Sequence, residues 1–145
     1  MWNKKKNTMF IINIILVCIL MIGCSGSNNK AQIPNFVKTL QETIGYDVEY
    51  IEDRSIIRVT DYLSKDTIID AVSKDNVYNQ WVEMRNTFLG LYDGVEKLAN
   101  SNGMKDINYE IIVIDKESAN TDEEVPLLII NETGIVFDMV EEVKN

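Results

Sequence analysis

Histidine is absent from this 145-residue chain, and cysteine and proline occur only twice each. Without imidazole, the commonest general base and the commonest zinc ligand are both missing. No Gly-x-Ser-x-Gly elbow and no glycine-rich phosphate loop is present, so two frequent routes to hydrolysis and nucleotide chemistry have no sequence support. Basic residues are scarce as well: 14 Lys and Arg stand against 23 Asp and Glu, a net charge of −9. Such a surface is a poor partner for nucleic acid or anionic headgroups, and it suits cations, basic peptides or a cationic protein face. An acidic surface also serves simply to keep a domain soluble. Long apolar runs are nearly lacking. The only one, Met9 to Ile22, is shorter than the roughly 17 to 25 residues of a spanning helix and is interrupted by Asn13.

What is present at the start is ordered. Lys4, Lys5 and Lys6 precede the apolar run, and Met21-Ile22-Gly23-Cys24 follows its core. A basic segment, a short apolar segment and a small residue at the break make the pattern of an export signal. These residues resemble the signal peptide and lipobox of bacterial lipoproteins, with Gly23 and Cys24 matching the motif and Met21 standing where leucine is most frequent. The resemblance implies cleavage before Cys24, lipidation of its sulfur, and attachment to the cell membrane on the extracytoplasmic face. It covers the first two dozen residues and implies nothing about the rest.

On this reading residues 1–23 are a signal peptide, residues 24–32 are the lipidated cysteine and a flexible Gly/Ser/Asn tether, and residues 33–145 form a single domain. Loss of Lys4 to Lys6 leaves 11 basic against 23 acidic residues, a net −12. Cys18 falls within the discarded segment. The remaining Cys24, once alkylated, forms neither a disulfide nor a thiolate metal site.

Apolar spacing orders the domain. Ile33, Phe36, Val37, Leu40 and Ile44 predict a helix over about 34–44, with Pro34 in its first turn and Gly45 at its end. Tyr46, Val48 and Tyr50 then alternate with acids, and Ser55 to Val59 follows a polar turn, which predicts a hairpin. The stretch from Tyr62 to Asp75 reads as a short helical entry. Val77, Trp81, Met84, Phe88, Leu91, Val95 and Leu98 predict one long helix stopped at Asn102-Gly103, and their wide stripe suits packing across a sheet. Ile107 to Asp115 reads as a strand covered on both faces. After a charged loop, Val125–Ile130 and Ile135–Val140 are predicted as two strands around a turn ending at Gly134. The expectation is an α+β domain: an antiparallel sheet of about five strands, with a short N-terminal helix and one long central helix on one face.

Acid-rich patches are the first functional candidates: Asp47, Glu49, Glu52 and Asp53; Asp122, Glu123 and Glu124; and Asp138, Glu141 and Glu142. None has the spacing of a calcium loop, so no metal and no cofactor is assigned. Tyr78, Trp81, Phe88 and Tyr92 form either an aromatic platform or, more simply, a core stripe. Gly90 and Gly94 read as a site of close helix approach, to a second helix or to the sheet. Fold class alone assigns no activity. The expectation is a non-enzymatic, membrane-anchored interaction module that binds an envelope protein or peptide of basic character and does not bind nucleic acid. A small-molecule or cation-binding lipoprotein is the alternative, with a carboxylate-dependent hydrolase behind it.

Overall fold

The computed structural model describes residues 29–144 apart from 105, 120 and 122. Its elements are α1 (Asn29–Ile44), β1 (Asp47–Ile51), a 3₁₀ turn (Glu52–Arg54), β2 (Ile56–Leu63), α2 (Asp66–Ser73), α3 (Asp75–Ser101), β3 (Asn108–Asp115), β4 (Pro126–Asn131), β5 (Gly134–Asp138) and α4 (Met139–Lys144). The α+β class, the five strands and the long central helix are all present.

Strand order in the single sheet follows the chain, β1-β2-β3-β4-β5. The tight turns between β1 and β2 and between β4 and β5 impose antiparallel pairing, as does the loop from β3 to β4. The expected all-antiparallel sheet is nevertheless mixed, because β2 and β3 pair in parallel from Ile56↔Asn108 to Leu63↔Asp115. The reason is the long helix. At about 1.5 Å per residue α3 carries the chain back along the sheet, so β3 starts at the end where β2 started.

Among the described residues, the helices pack on one face. Phe36, Leu40 and Ile44 of α1, Ile68 and Ala71 of α2, and Val140 of α4 join the α3 stripe Trp81, Met84, Phe88, Leu91, Val95 and Leu98 in one core. The sheet contributes Val48, Ile57, Val59, Tyr109, Ile111 and Val113, which share a face because strand side chains alternate. The Tyr46 and Phe88 rings meet at 5.9 Å with a 53° tilt. Trp81, Phe88 and Tyr92 are therefore core residues, not an exposed platform. β3 is buried from Tyr109 to Asp115, as its reading as a strand covered on both faces requires; Tyr109, Ile111 and Val113 join the core beneath the helices, while Glu110, Ile112 and Ile114 lie on the other face and outside that core.

Other boundaries shift for local reasons. α1 has 16 residues and begins at Asn29, inside the stretch expected to be a tether, so Pro34 lies beyond the first turn and removes one helical hydrogen bond. Gly45 closes α1 in a left-handed conformation, φ +72°, where its N–H donates to the Gln41 carbonyl at 2.9 Å. Gly90 faces open space, since a Cβ there would meet nothing within 4 Å; close approach is not its role. The strand expected over Ile135–Val140 stops at Asp138, and a helix follows. Asp138 Oδ1 accepts from the Val140 N–H at 3.0 Å and the Glu141 N–H at 3.4 Å, the N-cap of α4.

The same carboxylate anchors α4 to α3. Trp81 Nε1 donates to Asp138 Oδ1 at 3.0 Å, and Arg85 donates to Asp138 Oδ2 at 2.8 Å and to Glu141 Oε1 at 3.1 Å. The Tyr78 hydroxyl donates to Glu141 at 2.8 Å, and Lys144 Nζ sits 3.3 Å above the Tyr78 ring centre. Burial alone would depress the Arg85 guanidinium; its bonds and charges shared with Asp138 and Glu141 raise it instead. The Tyr78 hydrogen bond and Arg85 hold the Glu141 carboxyl below the usual range.

Because Glu141 is more acidic folded than unfolded, its stabilisation is present above the unfolded pKa of about 4.3 and is lost as pH falls through the folded value. Glu141→Gln is expected to lower the melting temperature at pH 7, with the gap to wild type closing below about pH 4; a pH-independent gap would refute the linkage. At Tyr109 the buried hydroxyl has no hydrogen-bond partner among the described residues, and burial pushes its pKa up to about 12. Tyr109→Phe removes an unsatisfied group and is expected to keep or raise stability in urea unfolding. A loss above about 1 kcal/mol would show that the hydroxyl is satisfied.

Candidate functional site

Among the described residues, the sheet face opposite the helical core carries a row of charges. Register places Glu49 of β1 opposite Arg58 of β2, and Arg58 opposite Glu110 of β3, in one row on the face turned away from the helices. Arg58 Nε donates to Glu110 Oε2 at 2.7 Å, while its Nη1 lies 3.8 Å from Glu49 Oε1. Arg54, from the 3₁₀ turn, approaches the other Glu110 oxygen at 3.8 Å. The two bridges of Arg58 differ in weight. Glu110 is 11% exposed at its side chain and Glu49 is 61%, so the inner pair holds the row and the outer carboxylate remains available to solvent.

A groove of about 340 Å³ opens beside this row. Asp47, Glu49 and Glu124 line it with Arg58, Tyr62 and Ile114. Asp47 and Glu49 reach the open face because they alternate with Val48 and Tyr50, which pack toward the core. Glu124 is brought in from the β3–β4 loop, whose last turn is tied down where the Ser118 hydroxyl accepts from the Val125 N–H at 2.9 Å and the Asp115 N–H donates to the Val125 carbonyl at 2.9 Å. Partial burial, followed by the nearby charges of Asp47, Glu124 and Glu49, pushes the Tyr62 phenol above its ordinary value. With its inner guanidinium contact spent on Glu110, the groove presents a net negative field around an aromatic ring.

The structure thus sorts the predicted acids. Asp47 and Glu49 from the first patch meet Glu124 from the second, although some 75 residues separate them in the chain. Glu52 and Asp53 lie in the 3₁₀ turn, and Glu123 is exposed. Asp122 and Cys24 lie outside the described residues. Asp138 and Glu141 are committed to the α3–α4 junction, and Glu142 is exposed on α4. Sequence reasoning missed Arg58, Glu110 and Tyr62. The available signal was Glu110 itself, a lone charge within a run of β-branched residues, which demands a partner if buried.

Among the described residues no group of three Asp, Glu, Cys or His is arranged to hold a metal ion, and no helix is long and apolar enough to cross a membrane. Comparison with protein-family models, with curated proteins and with solved structures finds no match to this chain.

The inequality within the ionic row is measurable. Glu110→Ala leaves Arg58 without its close partner and is expected to cost about 1–3 kcal/mol in chemical denaturation, whereas Glu49→Ala should cost less than about 1 kcal/mol. Equal losses would contradict the assignment of Glu110 as the structural carboxylate.

Proposed function

We propose that this chain is a lipid-anchored protein of the extracytoplasmic face of a bacterial cell membrane, a non-catalytic module that binds a basic segment of an envelope protein in its acidic groove. The reading rests on one observation above the others. Among the described residues, Asp47, Glu49 and Glu124 converge around Tyr62 in a groove on the sheet face opposite the helical core. Complementary charge there accelerates encounter and selects cationic partners, and the exposed ring of Tyr62 offers contact area to the stems of Lys or Arg.

Supporting features come from the rest of the chain. Cys24 and the preceding signal would supply the anchor, with several acyl chains on one residue sufficient for stable attachment. The absence of histidine and of nucleophile motifs supports binding over catalysis. Between α3 and the sheet, apolar side chains such as Phe88, Leu91, Ile111 and Val113 fill the interior, which supports docking on the surface over a ligand enclosed beneath the helix.

Expression in a lipoprotein-processing bacterium is expected to yield a membrane-bound product whose intact mass lacks residues 1–23 and gains acyl groups, with both changes lost in Cys24→Ala. A full-length, unmodified mass would refute the anchor. For the groove, a lysine-rich peptide should bind the wild-type chain in a salt-sensitive manner and fail to bind the Glu49→Lys/Glu124→Lys variant of unchanged circular dichroism. Equal binding by both proteins would place the interaction elsewhere.

A further inference from the structure

Among the described residues, the sheet has two unpaired edges, and they are not equivalent. At β5 the register shifts between Ile129 and Ile130, leaving Val136 bulged outward, and α4 begins directly after the strand. A bulge twists an edge away from further pairing. β1 has no such interruption: Asp47 to Ile51 pair with Thr60 to Ile56 in five consecutive steps. Among the described residues, Asp47–Tyr50 form no backbone hydrogen bond other than those of the sheet. Alternate backbone groups of β1 consequently face outward, ready to pair with an added strand.

Concave surface lies along this same edge. Besides the acidic groove, a hollow of about 440 Å³ lies between Gln41 and Glu42 of α1 and the start of β1 at Tyr46 and Asp47. Another, of about 330 Å³, lies between Ile33, Pro34 and Val37 of α1 and the far end of β1 at Tyr50. All three border β1. The chemistry differs on its two sides. Toward the open face stand Asp47, Glu49 and Glu124; toward α1 the surface is aromatic and aliphatic, with Lys30 and Lys38 balancing Glu42 and Glu52.

Resting on the acidic-groove reading, we propose that the partner binds as an added strand on the free edge of β1, and that it is an extended segment with Lys or Arg at alternate positions and apolar residues between them. A strand about 4.8 Å from β1 would place one set of side chains beside Asp47 and Glu49 and the other set beside Tyr50 and Val37. Main-chain bonds supply affinity in this mode, and the alternation supplies selectivity.

The test is fluorescence anisotropy with the full chain in non-ionic detergent, at low ionic strength, using a labelled seven-residue peptide that alternates Lys and Val. Three comparators accompany it: a peptide of the same composition with its lysines contiguous, and the alternating peptide N-methylated on one or the other set of alternate backbone nitrogens. The alternating peptide is expected to bind one to one. The contiguous peptide and one of the two methylated peptides should each bind about tenfold more weakly, and Glu49→Lys or Asp47→Lys, with circular dichroism unchanged, should remove binding. If the contiguous peptide and both methylated peptides match the parent while Glu49→Lys still abolishes binding, strand addition is refuted and the acidic groove stands. If no peptide binds, both readings fail. A doubled protein mass by light scattering, with the peptide excluded, would assign the edge to a second copy of the chain and overturn the proposal.

Discussion

The parallel seam between β2 and β3 is the constraint on which the molecule depends. The two flanking pieces, the β1–β2 hairpin and the three strands β3 to β5, could be closed by local turns, but a two-stranded hairpin has little stability alone and three strands need their apolar face covered. Eight registered pairs from Ile56↔Asn108 to Leu63↔Asp115 join the two parts into one sheet, and this register requires the whole α2–α3 crossover to be in place. The crossover in turn brings its own reward: the α3 stripe lies on the central strands and buries Phe88, Leu98, Ile57, Ile111 and Val113 together. Burial of such side chains, each worth about 1.5–3 kcal/mol, offsets the entropy of closing a connection that no hairpin could shorten.

A one-sided arrangement follows from the same packing. Because α1, α2, α3 and α4 all contribute to one core, the opposite face of the sheet stands apart from that core among the described residues. In its central strands the face carries the Arg58–Glu110 pair and the buried side chains of Ile112 and Ile114. Toward β1 it becomes acidic and open. The charge that keeps this face soluble is also the charge that would select a cationic partner, so solubility and recognition are served by the same residues.

Much of the fold was legible in the sequence where the signal is local. The three- and four-residue steps from Val77 to Leu98 found α3, the alternation after Gly45 found β1, and Gly134, at φ +98°, was found by its turn chemistry. The end of β5 was misread because Val140 continues an apolar run. Asp138 followed three residues later by Glu141 is a capping-box spacing, and it was the available sign that a helix starts there. The parallel seam had no local sign. Turn residues determine the sense of adjacent strands joined by short loops, whereas a helical crossover leaves that decision to packing.

The candidate site divides in the same way. Sequence alone determined the excess of acid, the lack of histidine, the resemblance to a lipoprotein signal ending at Cys24, and the residues of β1 that alternate in charge. It marked Asp47, Glu49 and Glu124 as acids without distinguishing them from Asp138 and Glu141. Only the tertiary structure decided that the first three share a groove while the last two serve a helix junction. The physical reason is range. Composition and periodicity act over a few residues, but the field around Tyr62 is made by carboxylates brought together through strand register and loop placement, and those are settled only when the core closes.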